Sequence, residues 1–150
     1  MADDEVIDLL QEAYNDEIET VMNYLTNSVV LEGVSAEAVK ESLRTDATQE
    51  ELQHAEQLGD RLKELDARPP ASFDFNAKQD DLQPPDDPGD ILEVIDGVIK
   101  YENDAISTYR SLIEAAQDAN DPVTEDLAIE ILGDEEAHLT EFKSFRREYE

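Results

Sequence analysis

The chain contains two histidines, His54 and His138, and each stands three residues after a glutamate, in Glu51-Leu52-Gln53-His54 and Glu135-Glu136-Ala137-His138. On a helix this spacing puts a carboxylate and an imidazole on one face, a turn apart. Such a pair can hold a divalent metal. Two further glutamates obey a matching rule: Glu17 precedes Tyr24 by seven residues, and Glu102 precedes Tyr109 by seven. The offset between the two halves is 85 residues for the Glu/Tyr pair and 84 for the Glu/His pair. The chain therefore reads as a weak internal repeat in which each half offers three metal-ligand candidates and one tyrosine.

The spacing of the surrounding apolar residues places all of these on inward helix faces. Ile7, Leu10, Tyr14, Glu17, Val21, Tyr24 and Ser28 step by threes and fours, the stripe of an amphipathic helix. The same rhythm runs through Ala47, Glu51, His54, Leu58, Leu62 and Leu65. It recurs in Ile91, Ile95, Val98, Glu102, Ala105, Tyr109 and Leu112, and again in Leu127, Ile131, Glu135, His138, Phe142, Phe145 and Tyr149. Four ionised carboxylates in a core would each cost on the order of several kcal/mol without a partner. No Lys or Arg lies on these stripes at that level. Two divalent cations would cancel the four charges, with the imidazoles completing the set. One Glu from each of two helices and Glu-x-x-His from each of the other two is the donor set of di-iron and di-manganese carboxylate centres. Oxygen and imidazole donors suit Fe(II) or Mn(II), and Zn(II) can occupy such a site. Tyr24 and Tyr109 are expected to orient ligands by hydrogen bonds. Asp16, Glu19, Glu50 and Glu136, which flank the stripe glutamates, are expected to be solvated.

Four helices must position these groups. Helix A is expected from about Asp3 to Glu32, stopped by Gly33, and helix B from a Ser35 cap to about Asp66. Helix C is expected to start with Asp87 as cap, Pro88 in the first helical position and Asp90 in the first turn; Asp121 and Pro122 repeat the device for helix D. Short A–B and C–D links make two antiparallel hairpins. Residues 67–87 between them carry Pro69, Pro70, Pro84 and Pro85 and predict an extended crossover. It is long enough to run the length of a helix, so B and C can be parallel neighbours. Counted from the turns at Gly33 and Asn120, the four glutamates all fall at mid-bundle height, roughly 22–27 Å from the turn.

Composition bounds the remaining possibilities. A chain of 150 residues is one ordinary domain, and the absence of cysteine excludes disulfides, thiolate metal sites and thiol nucleophiles. The acidic start Met1-Ala2-Asp3-Asp4-Glu5 has no basic or apolar leader pattern, which predicts a soluble, cytoplasmic protein. Forty acidic against eleven basic residues give a formal charge of −29. No nucleic acid or anionic membrane partner is expected for such a surface. Abundant Asp and Glu with few Lys over ordinary apolar stripes predicts a halophilic protein from a salt-rich cytoplasm.

Over nearly its whole length the chain resembles the ferritin-like superfamily, and within it the bacterioferritin and Dps-like branches. The stretch Ile129-Glu130-Ile131-Leu132-Gly133-Asp134-Glu135-Glu136-Ala137-His138 is similar to the last-helix signature of bacterioferritins, and Glu51-Leu52-Gln53-His54-Ala55-Glu56 to that of the second helix. The resemblance implies an all-α, ferritin-like four-helix bundle in which Glu51 and Glu135 bridge two iron ions, Glu17 and His54 complete one, and Glu102 and His138 the other. It implies a ferroxidase that oxidises Fe(II) with dioxygen or hydrogen peroxide, for iron storage and protection from oxidative stress. Leu52 replaces the haem-ligating Met of bacterioferritins, so no haem is expected. Only twelve residues follow His138, too few for a fifth helix, and the expected homo-oligomer is a dodecamer like that of Dps-like proteins with a bacterioferritin-type site. The first-helix His of ordinary Dps proteins is missing. Ala105 stands where rubrerythrins carry a second Glu, and there is no Cys-x-x-Cys domain. The alternatives are a non-storing di-metal oxidase or peroxidase, like rubrerythrin or manganese catalase, and a bundle with structural metals.

The charge generates a direct expectation. Self-repulsion of a −29 chain acts at low salt and fades as the screening length falls to about 3 Å near 1 M. The melting temperature should rise steeply with salt, and a thermal scan showing no change between low and molar salt contradicts the salt-adapted reading.

Overall fold

The structure is a computed structural model and describes residues 3–149. It is built from helices, with no strand among the described residues. Helix α1 spans Asp4–Val30, α2 Glu37–Thr45, α3 Leu52–Glu64, α4 Ile91–Asp118 and α5 Pro122–Glu148. A π-helical turn, Asp46–Glu51, joins α2 to α3 without interrupting the rod, so these three pieces form the second of four bundle helices. No described helix is long and apolar enough to cross a membrane.

Several ends follow the sequence rules. Asp3 caps α1 by accepting from Glu5 N at 2.9 Å, and Asp121 caps α5 through Thr124 N at 3.0 Å with Pro122 behind it. Two expected caps are displaced. Helix α4 starts at Ile91 with Asp90 as its cap, accepting from Glu93 N. Asp87 instead turns the chain by accepting from Gly89 N at 2.8 Å, and Pro88 O receives the N–H of Glu32. That interhelix bond holds Pro88 in the connection and delays the helix. Ser35 caps nothing: it lies inside a 3-10 turn, Val34–Ala36, that follows Gly33 in the left-handed region at φ 105°.

The apolar stripes meet as expected, with Leu10, Leu43, Leu58, Leu62, Ile95, Leu112, Ile131 and Phe142 fully enclosed. At about 25 cal/mol per Å² their burial supplies the main stabilising force. Across the two hairpins α1 packs on α4 and α3 on α5, so the second and third bundle helices are not the neighbours that the crossover length suggested. The cause lies in a row of side chains on α1. Asn15, Glu19, Asn23 and Asn27 recur every four residues, all buried, and together they hold the crossover.

Asn15 exchanges two hydrogen bonds of 2.8 Å with the Asn76 backbone. The Glu19 carboxylate accepts the N–H groups of Lys78 and Gln79 at 2.9–3.0 Å. Asn23 donates to the Gln79 side chain and Asn27 to Leu82 O. Glu19 is thus a buried anchor and not a solvated residue, because backbone donors satisfy it. Asp16 is only half-buried and pairs with Lys78 Nζ at 3.0 Å.

On its other side the crossover lies against α4 at Gly97, where a Cβ would meet Asp81 O at 2.1 Å. Only glycine permits that approach. Gly97→Ala should therefore cost about 1–3 kcal/mol through overpacking. Gly133→Ala, whose Cβ would meet nothing within 4 Å, should gain about 0.5–1 kcal/mol from helix propensity. Urea midpoints of the two variants check this, and equal shifts contradict the Gly97 contact.

Candidate metal centre

The six ligand candidates converge at the middle of the bundle, contributed by α1, the π turn, α3, α4 and α5. Glu17, Glu51, Glu102 and Glu135 have no solvent exposure, and His54 and His138 have almost none. Their donor atoms form two overlapping sets, Glu17/Glu51/His54/Glu135 and Glu51/Glu102/Glu135/His138, with all ligand atoms of a set within 4.8 Å of one another. Glu51 and Glu135 belong to both. Two carboxylates are thus shared between the sets, and two pairs, Glu17/His54 and Glu102/His138, belong to one set each.

Both imidazoles turn Nδ1 toward the carboxylates. His54 Nδ1 lies 3.2 Å from Glu135 and 3.6 Å from Glu17; His138 Nδ1 lies 3.3 Å from Glu51 and 3.7 Å from Glu102. The opposite nitrogens meet a second pair of acids. His54 Nε2 is 2.8 Å from Asp134, and His138 Nε2 is hydrogen-bonded to Glu50, with Asp46 3.7 Å away. An acid on Nε2 fixes the tautomer that leaves Nδ1 free to ligate.

Glu50 is therefore half-buried and engaged, contrary to its expected solvated position. The π turn explains the difference: its i→i+5 bonding adds a residue to the turn and shifts the helical phase, so Asp46, Glu50 and Glu51 all reach the site. Glu136, by contrast, is exposed as expected and faces Arg110 at 3.9 Å. The sequence signal for the missed acids is their register. Glu50 and Asp134 stand immediately before Glu51 and Glu135, and each serves the histidine of the other motif.

The tyrosines cross over in the same way. Tyr24 donates to Glu102 Oε1 at 2.7 Å, and Tyr109 to Glu17 Oε1 at 2.6 Å. Burial and the nearby carboxylates push both phenols well above their usual pKa, so they remain protonated donors.

The electrostatics of the cluster are those of groups that share protons. Burial, reinforced by Glu17, raises Glu51 well above the usual glutamate range, and burial with Glu102, Glu51 and Glu17 does the same to Glu135. At Glu17 burial opposes ionisation, yet the adjoining Glu51, the His54 imidazole and the Tyr109 hydroxyl hold it low. His138, although buried, is pushed up to about 12 by Glu102 and Glu51, with Asp46 adding to the effect. His54 is raised by Glu17 and Asp134 against its burial.

Eight buried donor atoms of the cluster have no hydrogen-bond partner among the described residues: Glu17 Oε2, Glu102 Oε2, both carboxylate oxygens of Glu51 and of Glu135, and Nδ1 of His54 and His138. Buried polar groups are nearly always satisfied. Eight orphans converging on one place fit cations of octahedral or tetrahedral N/O preference, which use lone pairs that hydrogen bonds do not.

Comparison with known proteins gives the fold a context. Among curated proteins none matches this sequence. Among solved structures, BfrA from M. tuberculosis superposes with a TM-score of 0.82 at 21% identity, over 96% of this chain and 84% of that one. The bacterioferritin of Rhodobacter capsulatus, described with a metal-free dinuclear site and a haem iron, superposes with a TM-score of 0.85 at 20% identity, over 99% and 87%. The ferritin-like domain model matches residues 7–150, and with a four-helix bundle of this kind the chain belongs to the ferritin-like domain family.

Proposed function

We propose that the chain is a di-iron carboxylate ferroxidase. It takes Fe(II) as substrate and dioxygen or hydrogen peroxide as oxidant, and so limits free iron and the radicals that iron makes from peroxide. The observation that carries this reading is the pair of overlapping donor sets with eight unpartnered buried atoms. The family and the bacterioferritin-like fold support iron handling. We further propose that residues 1–150 act as one di-metal domain of a closed homo-oligomer in a salt-rich cytoplasm. No haem belongs to the reading: haem iron needs an imidazole, thioether, thiolate or phenolate ligand, and Leu52 is a half-exposed hydrocarbon.

Glu51 and Glu135 would bridge two ions, with Glu17 and His54 completing one position and Glu102 and His138 the other. With two Fe(II) substrates bound, the site supplies two-electron chemistry toward the oxidant. The protein holds the ligands. Tyr24 and Tyr109 fix the outer oxygens of Glu102 and Glu17, while Asp134 and Glu50 hold the imidazoles in the ligating tautomer. The closed core keeps bulk water from the reacting atoms.

Ligation requires Glu51, Glu135 and the imidazoles to lose protons that the metal-free cluster retains. Metal uptake should therefore release protons, and affinity should fall as pH falls from about 8 to about 6. The sign for stability follows from linkage. Raised Glu51, Glu135, His54 and His138 hold more protons folded than unfolded, so the metal-free chain loses stability as pH rises above the ordinary glutamate value of 4.5 toward the folded pKa values. Glu17 and Glu50, held low, already contribute fully above 4.5. Metal-free protein should melt lower at about pH 8 than at about pH 6, with bound metal abolishing that slope. Zn(II) uptake without proton release contradicts the assignment.

Mutation separates ligands from their supports. Glu51→Ala should reduce metal content to one ion or none per chain and abolish rapid Fe(II) oxidation. Glu50→Ala should lower metal affinity or oxidation about 10–100-fold through the lost bond to His138. Glu136→Ala, one residue beyond Glu135 but exposed, should behave as wild type. Metal analysis and stopped-flow oxidation read all three; loss in Glu136→Ala as large as in Glu51→Ala places the chemistry elsewhere. Native mass in high salt tests storage, which needs a closed shell: a monomer or dimer at all concentrations leaves a non-storing oxidase.

A further inference from the structure

A third tyrosine reaches the cluster and has no task in the site as described. Tyr101 immediately precedes Glu102 on α4 and is 7% exposed. Its ring stands edge-on to Tyr24, with centroids 6.4 Å apart. Burial raises its pKa well above the usual phenol value, and the charges of Glu17, Glu135, Glu51 and Glu102 raise it further. The ring it packs against, Tyr24, itself donates to Glu102, so Tyr101 stands beside the cluster in space as well as in sequence. Yet unlike Tyr24 and Tyr109 it has no hydrogen-bond partner among the described residues. A buried hydroxyl left in this state destabilises the fold, and phenylalanine would avoid the cost.

The surroundings show what such a hydroxyl can meet. Tyr101 lines a cleft of about 320 Å³ between α1, the crossover and α4, together with Asp16, Lys78, Leu82, Ala105 and Thr108. The internal repeat relates two of these residues: Asp16 precedes Glu17 as Tyr101 precedes Glu102. The residues before Glu51 and Glu135 close the opposite side of the cluster by binding the histidines. The residues before Glu17 and Glu102 border a cavity instead. Ala105, one turn beyond Tyr101 on α4, is small and lines the same cleft. At the cleft, Lys78 Nζ is paired with Asp16 at 3.0 Å and lies 3.5 Å from Glu12, so the ammonium is already matched by carboxylates and the opening suits a small neutral molecule.

We propose that Tyr101 is the binding residue for the oxidant: a small oxygen-bearing molecule of the dioxygen or peroxide class enters by the α1–α4 cleft and accepts a hydrogen bond from the Tyr101 hydroxyl at the carboxylate cluster. The proposal rests on the di-metal reading above. It assigns to Tyr101 recognition of the ligand and no part in holding the metals.

The test uses Co(II), which does not turn over, and azide as a small anionic probe. Wild type and Tyr101→Phe are loaded with Co(II), metal is counted, and azide is titrated by visible absorption. Equal Co(II) content with azide binding weakened about tenfold in Tyr101→Phe is the expected result, the loss of about 1.4 kcal/mol for one hydrogen bond. Equal azide affinity overturns the proposal and leaves the metal centre standing. Wild type that takes up no Co(II) overturns the metal-centre reading and this inference with it. The metal-free forms give a readout independent of loading. Tyr101→Phe should melt at or above the wild-type temperature, because the hydroxyl is idle until ligand arrives; a clear fall would show that it serves the fold and would also overturn the proposal.

Discussion

Four carboxylates without solvent exposure at the centre of a helical bundle form the constraint on which the rest of the structure depends. A charge in such surroundings must be neutralised, paired or abandoned to protonation. Each of the four glutamates lies near an imidazole, but two imidazolium charges cannot balance four carboxylates. The remaining imbalance appears as raised affinity for protons at Glu51 and Glu135. A packed apolar core of the same shape would be more stable. The fold tolerates the cluster because Glu17, Glu102 and both imidazoles are pinned from behind, while Glu51 and Glu135 are left for protons or metals to satisfy.

That pinning follows the internal repeat. Tyr24 in the first half holds Glu102 in the second, and Tyr109 in the second holds Glu17 in the first. His54 reaches Asp134 and His138 reaches Glu50 by the same exchange. Every supporting contact therefore crosses between hairpins, and neither half can complete a metal position alone. The crossover makes this possible. Asn15, Glu19 and Asn27 bind its backbone to α1, Gly97 lets it lie against α4, and the two helices bearing Glu17 and Glu102 are held side by side.

The bundle, the six convergent residues and their level were legible because each rests on local periodicity. A carboxylate on an apolar stripe is visible in the spacing of the residues around it, and Asp121-Pro122 marks a helix start by its own chemistry. What was illegible depended on partners distant in the chain. Glu19 and its row of asparagines look like surface polar residues until the crossover backbone is laid over them. Asp87 looks like a cap until Glu32 claims the carbonyl of Pro88. Glu50 misled for a different reason: an unbroken α-helical phase puts it outside, and only the π turn brings Asp46, Glu50 and Glu51 round together. Acids directly before both Glu-x-x-His motifs were nonetheless a repeat in plain view, as was the unmatched pair Asp16 and Tyr101.

Surface and centre present the same sign of charge but call for different remedies. The excess acids on the outside interact through solvent, where mobile ions within a few ångströms suppress repulsion. The four glutamates inside are beyond the reach of that atmosphere, since none of them has any solvent exposure. Salt can therefore stabilise the bundle without relieving its core, and protons or specifically bound cations can relieve the core without neutralising the surface. A chain of net charge −29 also draws cations of every kind toward itself, so selectivity must arise where solvent ends. On the proposed reading it would arise from eight buried donor atoms that a dehydrated cation of matching coordination satisfies.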